Sequence, residues 1–244
     1  MPRLVIYTAS IGRQDEVQAP QLITDGATYI CFTDIPEIVP PPWQARQAAW
    51  YTISPDPARA VRWYKILAHQ HFPELGPDDV SIWQDSTHIG VRDYNEIIQD
   101  LGDHDLALLP HFSRDCLYDE ADQVALNGLD DQNVILAHIE SILLEGYPAH
   151  QGLHDGSFLV RRHTAAIAKF NDIWWLTIAM GSRRDQLSLD YALWKTKVRC
   201  LTLGVQQRLG GTSRTQNAID TVVTNPLFAF QPRGRRVRPF MPWL

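Results

Sequence analysis

A chain of 244 residues, 45% hydrophobic and 20% charged, is long enough for one large core and has the composition of a globular domain. Its net charge of −6 argues against a nucleic-acid partner drawn in by long-range attraction. Cys31, Cys116 and Cys200 are odd in number and without CxxC spacing, which argues against a disulfide framework or a zinc cluster and for a reducing compartment. With neither a signal-peptide pattern nor a long apolar run, the expected setting is cytoplasmic. Eight tryptophans are many for this length. Each indole N–H needs a partner, so some of them are expected to line a cleft.

In chain order, Leu4 to Thr8 reads as a buried strand and Ala27 to Thr33 as a second, stopped by Asp34 and Pro36. A proline-rich loop follows, and Gln47 to Ile53 reads as a third strand. Asp56 to His71 reads as one helix, with Asp56 as cap and Pro57 at its first position. Val80 to Trp83 is a strand, Asp93 to Leu101 a helix, and Leu106 to Leu109 a strand. Asp115 to Glu145 is helical with a break near Asn127-Gly128. Ser157 to Val160 is a strand, Thr164 to Met180 and Asp185 to Lys195 are helices, and Val198 to Leu203 is a last strand. Alternating strands and helices predict an α/β class with a largely parallel sheet in residues 1–205. Residues 206–244 form an extension whose basic end, Arg233 to Arg238 with Phe240 and Trp243, suits peripheral contact with a membrane surface or an acidic glycan, or packs as a plain tail.

Ligands of such sheets bind beyond the carboxyl ends of the strands. That edge singles out Asp85, after the run Val80-Ser-Ile-Trp-Gln, as a metal-binding carboxylate or a turn cap. Arg62 and Lys65 share a helix face and suit a diphosphate, or else form a solvated face. His111 and His154 are candidate ligands or proton carriers, or structural histidines. Asp185 opens a helix, as a cap or as a group aimed at a substrate.

The segments Tyr7-Thr-Ala-Ser-Ile-Gly12, Tyr29 to Asp34, Arg62-Trp-Tyr-Lys65, Ile82-Trp-Gln-Asp85, His111-Phe-Ser-Arg114 with Tyr118-Asp-Glu120, Asp155-Gly156 with Arg161-Arg162-His163, Trp174-Trp175 and Arg184-Asp-Gln-Leu-Ser188, in this order, resemble the DUF616 family, the TOD1/MUCI70 glycosyltransferase-like domain, over roughly residues 4–203. That family is similar to GT-A glycosyltransferases. The resemblance implies a nucleotide-diphospho-sugar transferase sandwich that moves sugar from a nucleotide-sugar donor to a glycan acceptor in polysaccharide biosynthesis. It implies that Thr8, Ala9 and Gly12 border the nucleotide, Asp34 lies near its base or ribose, and Arg62 and Lys65 meet the diphosphate. His111, Arg114 and Asp155 would be further substrate contacts, and Asp185 and Gln186 the pair beside the reacting sugar. Asp85 would take the place of the DxD motif, holding Mn²⁺ or Mg²⁺. The second acid of that motif is replaced by Thr87, so a metal would call on His111 or His154 to complete its ligands. Two alternatives stand beside transfer: a nucleotide-sugar or glycan-binding module with weak turnover, and a metal-assisted hydrolase built on Asp85, His111 and His154.

Overall fold

A computed structural model describes residues 2–12 and 15–204 and the backbone of Phe228–Phe230. The strands are β1 (Leu4–Ser10), β2 (Ala27–Thr33), β3 (Gln44–Gln47), β4 (Val80–Gln84), β5 (His88–Gly90), β6 (Leu106–Pro110), β7 (His154–Arg162), β8 (Cys200–Thr202) and β9 (Phe228–Phe230). The helices are α1 (Pro57–Ile66), α2 (Ala68–His71), α3 (Tyr94–Leu101), α4 (Leu117–Leu126), α5 (Gln132–Leu144), α6 (Ala165–Met180) and α7 (Leu189–Thr196). Seven strands form one sheet in the order β3-β2-β1-β4-β7-β6-β8, and β5 pairs with β9 in a small second sheet. The main sheet is mostly parallel; β7 alone runs against both its neighbours, β4 and β6. The basic end of the expected extension lies outside the described residues.

The period-2 alternation of each strand divides the core into two layers. Val5, Tyr7, Leu108 and Leu159 face a layer with Tyr64, Phe170 and Trp174 from α1 and α6. Leu4, Ile6, Ile82 and Val160 face the other layer, which takes Tyr94, Ile97 and Leu101 from α3. Helices therefore cover both faces, as a mostly parallel sheet requires. Among the described residues no helix is long and apolar enough to cross a membrane. All three cysteines are free.

Several expectations change: the helix expected from Asp185 is a 3-10 turn over Asp185–Leu187 followed by α7, and β9 comes after the strand expected to be the last. The third strand is Gln44–Gln47, and Trp50–Thr52 is a 3-10 turn. The partner strand β2 ends at Thr33, opposite Gln47, so nothing remains for residues further on to pair with. The helix over Asp56 to His71 breaks at Leu67. A continuous helix would give the carbonyls of Lys65 and Ile66 to the amides four residues on. Here the guanidinium of the fully buried Arg161 on β7 takes both, and the Tyr7 hydroxyl also donates to the Lys65 carbonyl at 2.7 Å. Last, the strand expected over Ser157 to Val160 extends over nine residues and is antiparallel. The cap at Asp56, which accepts from the Ala58 amide at 3.0 Å, is as expected.

Among the described residues Arg161 has no carboxylate as a hydrogen-bond partner; besides those carbonyls it reaches Tyr7 and Asn171. This buried cation stands near two histidines. Burial lowers His71 from 6.5 to about 4, partly opposed by its hydrogen bond to the Trp63 carbonyl, and Arg161 adds to the lowering. Burial and then Arg161 bring His163 to about 4 as well. An unfolded chain takes up these protons near pH 6.5, the folded one only near 4, so the unfolded state binds more protons in between. Stability is therefore full above about 6.5 and falls as pH drops towards 4. Urea unfolding at pH 7 and pH 5 should show a lower midpoint at pH 5, with an uptake of protons on unfolding to which His71 and His163 contribute up to about two. Equal midpoints would contradict the assignment.

Candidate active-site cleft

A cleft of about 860 Å³ opens where β1 and β4 end and the antiparallel β7 begins. Ala9 and Ser10 come from β1, Asp85 and Ser86 follow β4, and Asp155, Gly156 and Ser157 open β7. Because β7 is reversed, its first residues share the edge that holds the last residues of β4. The pairing of β7 with β6 jumps from Leu159 opposite Leu108 to Asp155 opposite Leu109. The residues between, Gly156 to Phe158, form a bulge, a device that re-aims a strand beside a site.

At the back of the cleft the ammonium of Lys65, on the last turn of α1, forms an ion pair with the carboxylate of Asp185. Both residues are buried. The Lys65 nitrogen also lies 5.8 Å from the centre of the Trp83 ring and 5.9 Å from that of Trp174, within cation–π range. Arg62, one turn earlier on α1, brings its Nε to 3.5 Å from Asp185, a charge contact without hydrogen-bond geometry. Burial would raise the Asp185 carboxyl, but Lys65, Arg62 and Arg184 outweigh it and hold the group well below the usual carboxylate range. A carboxylate so held is a poor proton acceptor. Its work here is to hold two cations of α1 in place.

Gly156 makes this arrangement fit. A Cβ there would stand 3.0 Å from the Lys65 ammonium and 3.4 Å from an Asp185 oxygen. Gln186 ties the same turn to β7: its amide nitrogen donates to the His154 carbonyl and its oxygen accepts from the Gly156 amide at 3.4 Å. Asp85 accepts from the Trp83 indole at 2.9 Å, and Asp155 from the Ser157 amide at 2.7 Å. Trp83 is thus one tryptophan of the kind expected at a cleft.

Of the residues singled out in the sequence, Ala9, Arg62, Lys65, Asp85, Asp155, Asp185 and Gln186 line the cleft. Thr8 lies behind it, fully buried in β1. Gly12 and Asp34 sit near its rim, where the Gly12 amide donates to Asp34 at 3.1 Å and the Trp50 indole to the other oxygen at 3.1 Å. Thr87 is outside the lining. His111 and Arg114 are outside it too, both directed at the buried Glu120. The His111 Nδ1 accepts from the amides of Ser113 and Arg114, and burial lowers its pKa, opposed by Glu120. His154 is spent on Asp190 through Nδ1 and on Thr202 through Nε2. Arg183 and Arg184, a pair of cations directly before Asp185, also line the cleft. In the sequence the signal for both is the doublet Arg183-Arg184 itself, directly before Asp185.

The donor set expected for a metal at Asp85 is therefore not assembled. Thr87 and His111 lie outside the cleft lining, and His154 is engaged by Asp190 and Thr202, so among the described residues these three do not gather with Asp85. The residues do not fit the expected divalent ion, and the same geometry removes the three-residue hydrolase site. Among the described residues, one group of three that could hold a metal ion comes together elsewhere: Cys116, Asp119 and His150.

Removing one partner of a buried ion pair leaves the other uncompensated. Asp185→Asn should lower stability by about 3 kcal/mol. Lys65→Met in the same chain should restore part of that loss. A double-mutant cycle by urea unfolding measures the coupling, and additive losses would show that the pair is not the support described.

No curated protein matches the chain. A family model, TOD1/MUCI70, glycosyltransferase-like domain, matches residues 51–206. The match spans α1, Asp85, β7 and Asp185, and leaves β1 and β2, with Gly12 and Asp34, outside it. Over more than half its length, and across most of the cleft, the chain belongs to the TOD1/MUCI70 glycosyltransferase-like domain family.

Proposed function

We propose that the cleft binds the diphosphate of a nucleotide-sugar donor and that the chain transfers the sugar to a glycan acceptor, on a fold of the GT-A type. The observation that carries this reading is the charge arrangement at Asp185. Three cations act on one carboxylate, leaving an excess of about two positive charges, which suits a diphosphate. As the glycosidic bond breaks, negative charge grows on the leaving diphosphate, and Lys65, Arg62 and Arg184, gathered around Asp185, would meet it. The carboxylates of Asp85 and Asp155, in the cleft lining, would accept hydrogen bonds from sugar hydroxyls. The sugar would lie over Gly156 and Trp83, between the floor and the cations. Gln186 holds the β7 turn and acts as a positioning residue, and Asp185 works by holding cations rather than by taking a proton. Ala9 and Gly12, with Asp34, would border the nucleoside.

A second reading, donor binding with little turnover, is favoured by one observation. Among the described residues of the lining there is no histidine, and Asp185 is ion-paired. Acceptor activation would then fall to Asp85 or Asp155.

Thermal unfolding with a panel of nucleoside diphosphates should show stabilisation by at least one of them, worth about 2.7 kcal/mol at a hundred times its Kd. The shift should survive a chelator. Asp85→Ala should abolish sugar transfer, or at least sugar-dependent binding, while leaving the nucleoside diphosphate shift in place. Absence of a shift with every nucleotide tested would sink both readings; a shift without product over long incubation would favour the second.

A further inference from the structure

We infer that Cys116, Asp119 and His150 form a zinc site, separate from the cleft. One atom from each of these side chains, a sulfur, a carboxylate oxygen and a ring nitrogen, lies within 4.8 Å of the others. None of the three lines the cleft. They come from two places in the chain. Cys116 is the N-cap of α4 and Asp119 follows three residues on, so the two share a face of its first turn. The Cys116 thiol does not cap the helix. His150 arrives from the loop between α5 and β7.

The histidine is held in place. Its backbone is left-handed, at φ 55°, a region that few residues other than glycine adopt and in which asparagine, aspartate and histidine are the most frequent exceptions. Its Nδ1 lies 3.1 Å from the carboxylate of Asp115. A neutral imidazole donating from Nδ1 carries its lone pair on the other nitrogen, and a carboxylate behind a metal-bound histidine is the usual support of such a ligand. The loop is also fixed to the start of α4 by other bonds: the Gly152 amide donates to the Asp115 carbonyl at 3.0 Å, and the Tyr118 hydroxyl to the Tyr147 carbonyl at 2.5 Å. The fold brings the donors into one neighbourhood, so that small side-chain adjustments would close them on an ion.

The donor types select the ion. Magnesium and calcium take oxygen ligands, whereas one thiolate, one imidazole and one carboxylate suit zinc. Thiolate and carboxylate together balance the two charges of the ion. Binding releases the Cys116 proton to solvent. Three protein ligands leave a fourth position for water or an outside ligand. The ion would clamp the loop to α4, the helix that leads into Asn127 to Leu129 on the cleft wall.

The test uses the full chain, stripped of metal and titrated with Co²⁺ and then Zn²⁺ in the absence of nucleotide. One equivalent of Co²⁺ should give a thiolate charge-transfer band and the visible bands of a tetrahedral site, and Zn²⁺ should displace it. Cys116→Ser should remove the charge-transfer band, and Cys31→Ser and Cys200→Ser should leave it unchanged. Asp119 and His150 are exposed, so Asp119→Asn and His150→Asn should fold, and each should weaken Zn²⁺ binding by at least about tenfold. Absence of a thiolate band in the parent chain, or Zn²⁺ binding unchanged in both exposed variants, would overturn the proposal and mark any bound metal as adventitious.

Discussion

The cleft depends on keeping one ammonium group in place inside the protein. Burying the charge of Lys65 would be costly without a partner, and Asp185 is that partner, 120 residues later. Several features of the fold serve this pair. Tyr7 and Arg161 take the carbonyl of Lys65 and end α1 at the depth where its side chain reaches the cleft. Trp83 and Trp174 flank the ammonium, and the Trp174 indole donates to the Asp185 carbonyl at 3.2 Å. The missing side chain of Gly156 leaves room for both charges. The sheet thus supplies a rigid frame on which a cation is held ready and dry, the condition under which it acts most strongly on a developing negative charge.

Two charge patterns share the cleft. The wall formed by α1 and the Arg183-Arg184 turn is cationic, and the floor at the ends of β4 and β7 carries Asp85 and Asp155. That division suits the proposed ligand, with its diphosphate at one end and its hydroxyls at the other. The zinc proposed at Cys116 stands outside this scheme, as a clamp on α4 and not as a participant in transfer.

Much of the frame was legible in the sequence. The apolar, β-branched runs of β1, β2 and β4 and the Asp56-Pro57 helix start carry their own local signals, and the rule that ligands sit at strand ends led directly to Asp85. The reversal of β7 was not legible, because the alternation of a strand says which face is buried and nothing about its direction. With β7 taken as parallel, its first residues would lie at the far edge of the sheet; only the resemblance pointed to Asp155 and Gly156. The break at Leu67 was hidden for a similar reason, since its cause is Arg161, 94 residues away in the chain. The histidines show the same limit. Residue type makes His111 and His154 eligible as ligands, but Glu120, Asp190 and Thr202 claim them, and those partners are set by packing.

The central claim, that cations fixed around Asp185 bind a diphosphate, is tested most directly by comparing a nucleoside diphosphate with its monophosphate by calorimetric titration in a chelator. The account predicts that the diphosphate binds more tightly to the parent chain and that Arg62→Gln narrows the difference. Equal binding of the two nucleotides, or diphosphate binding that vanishes on chelation, would contradict it.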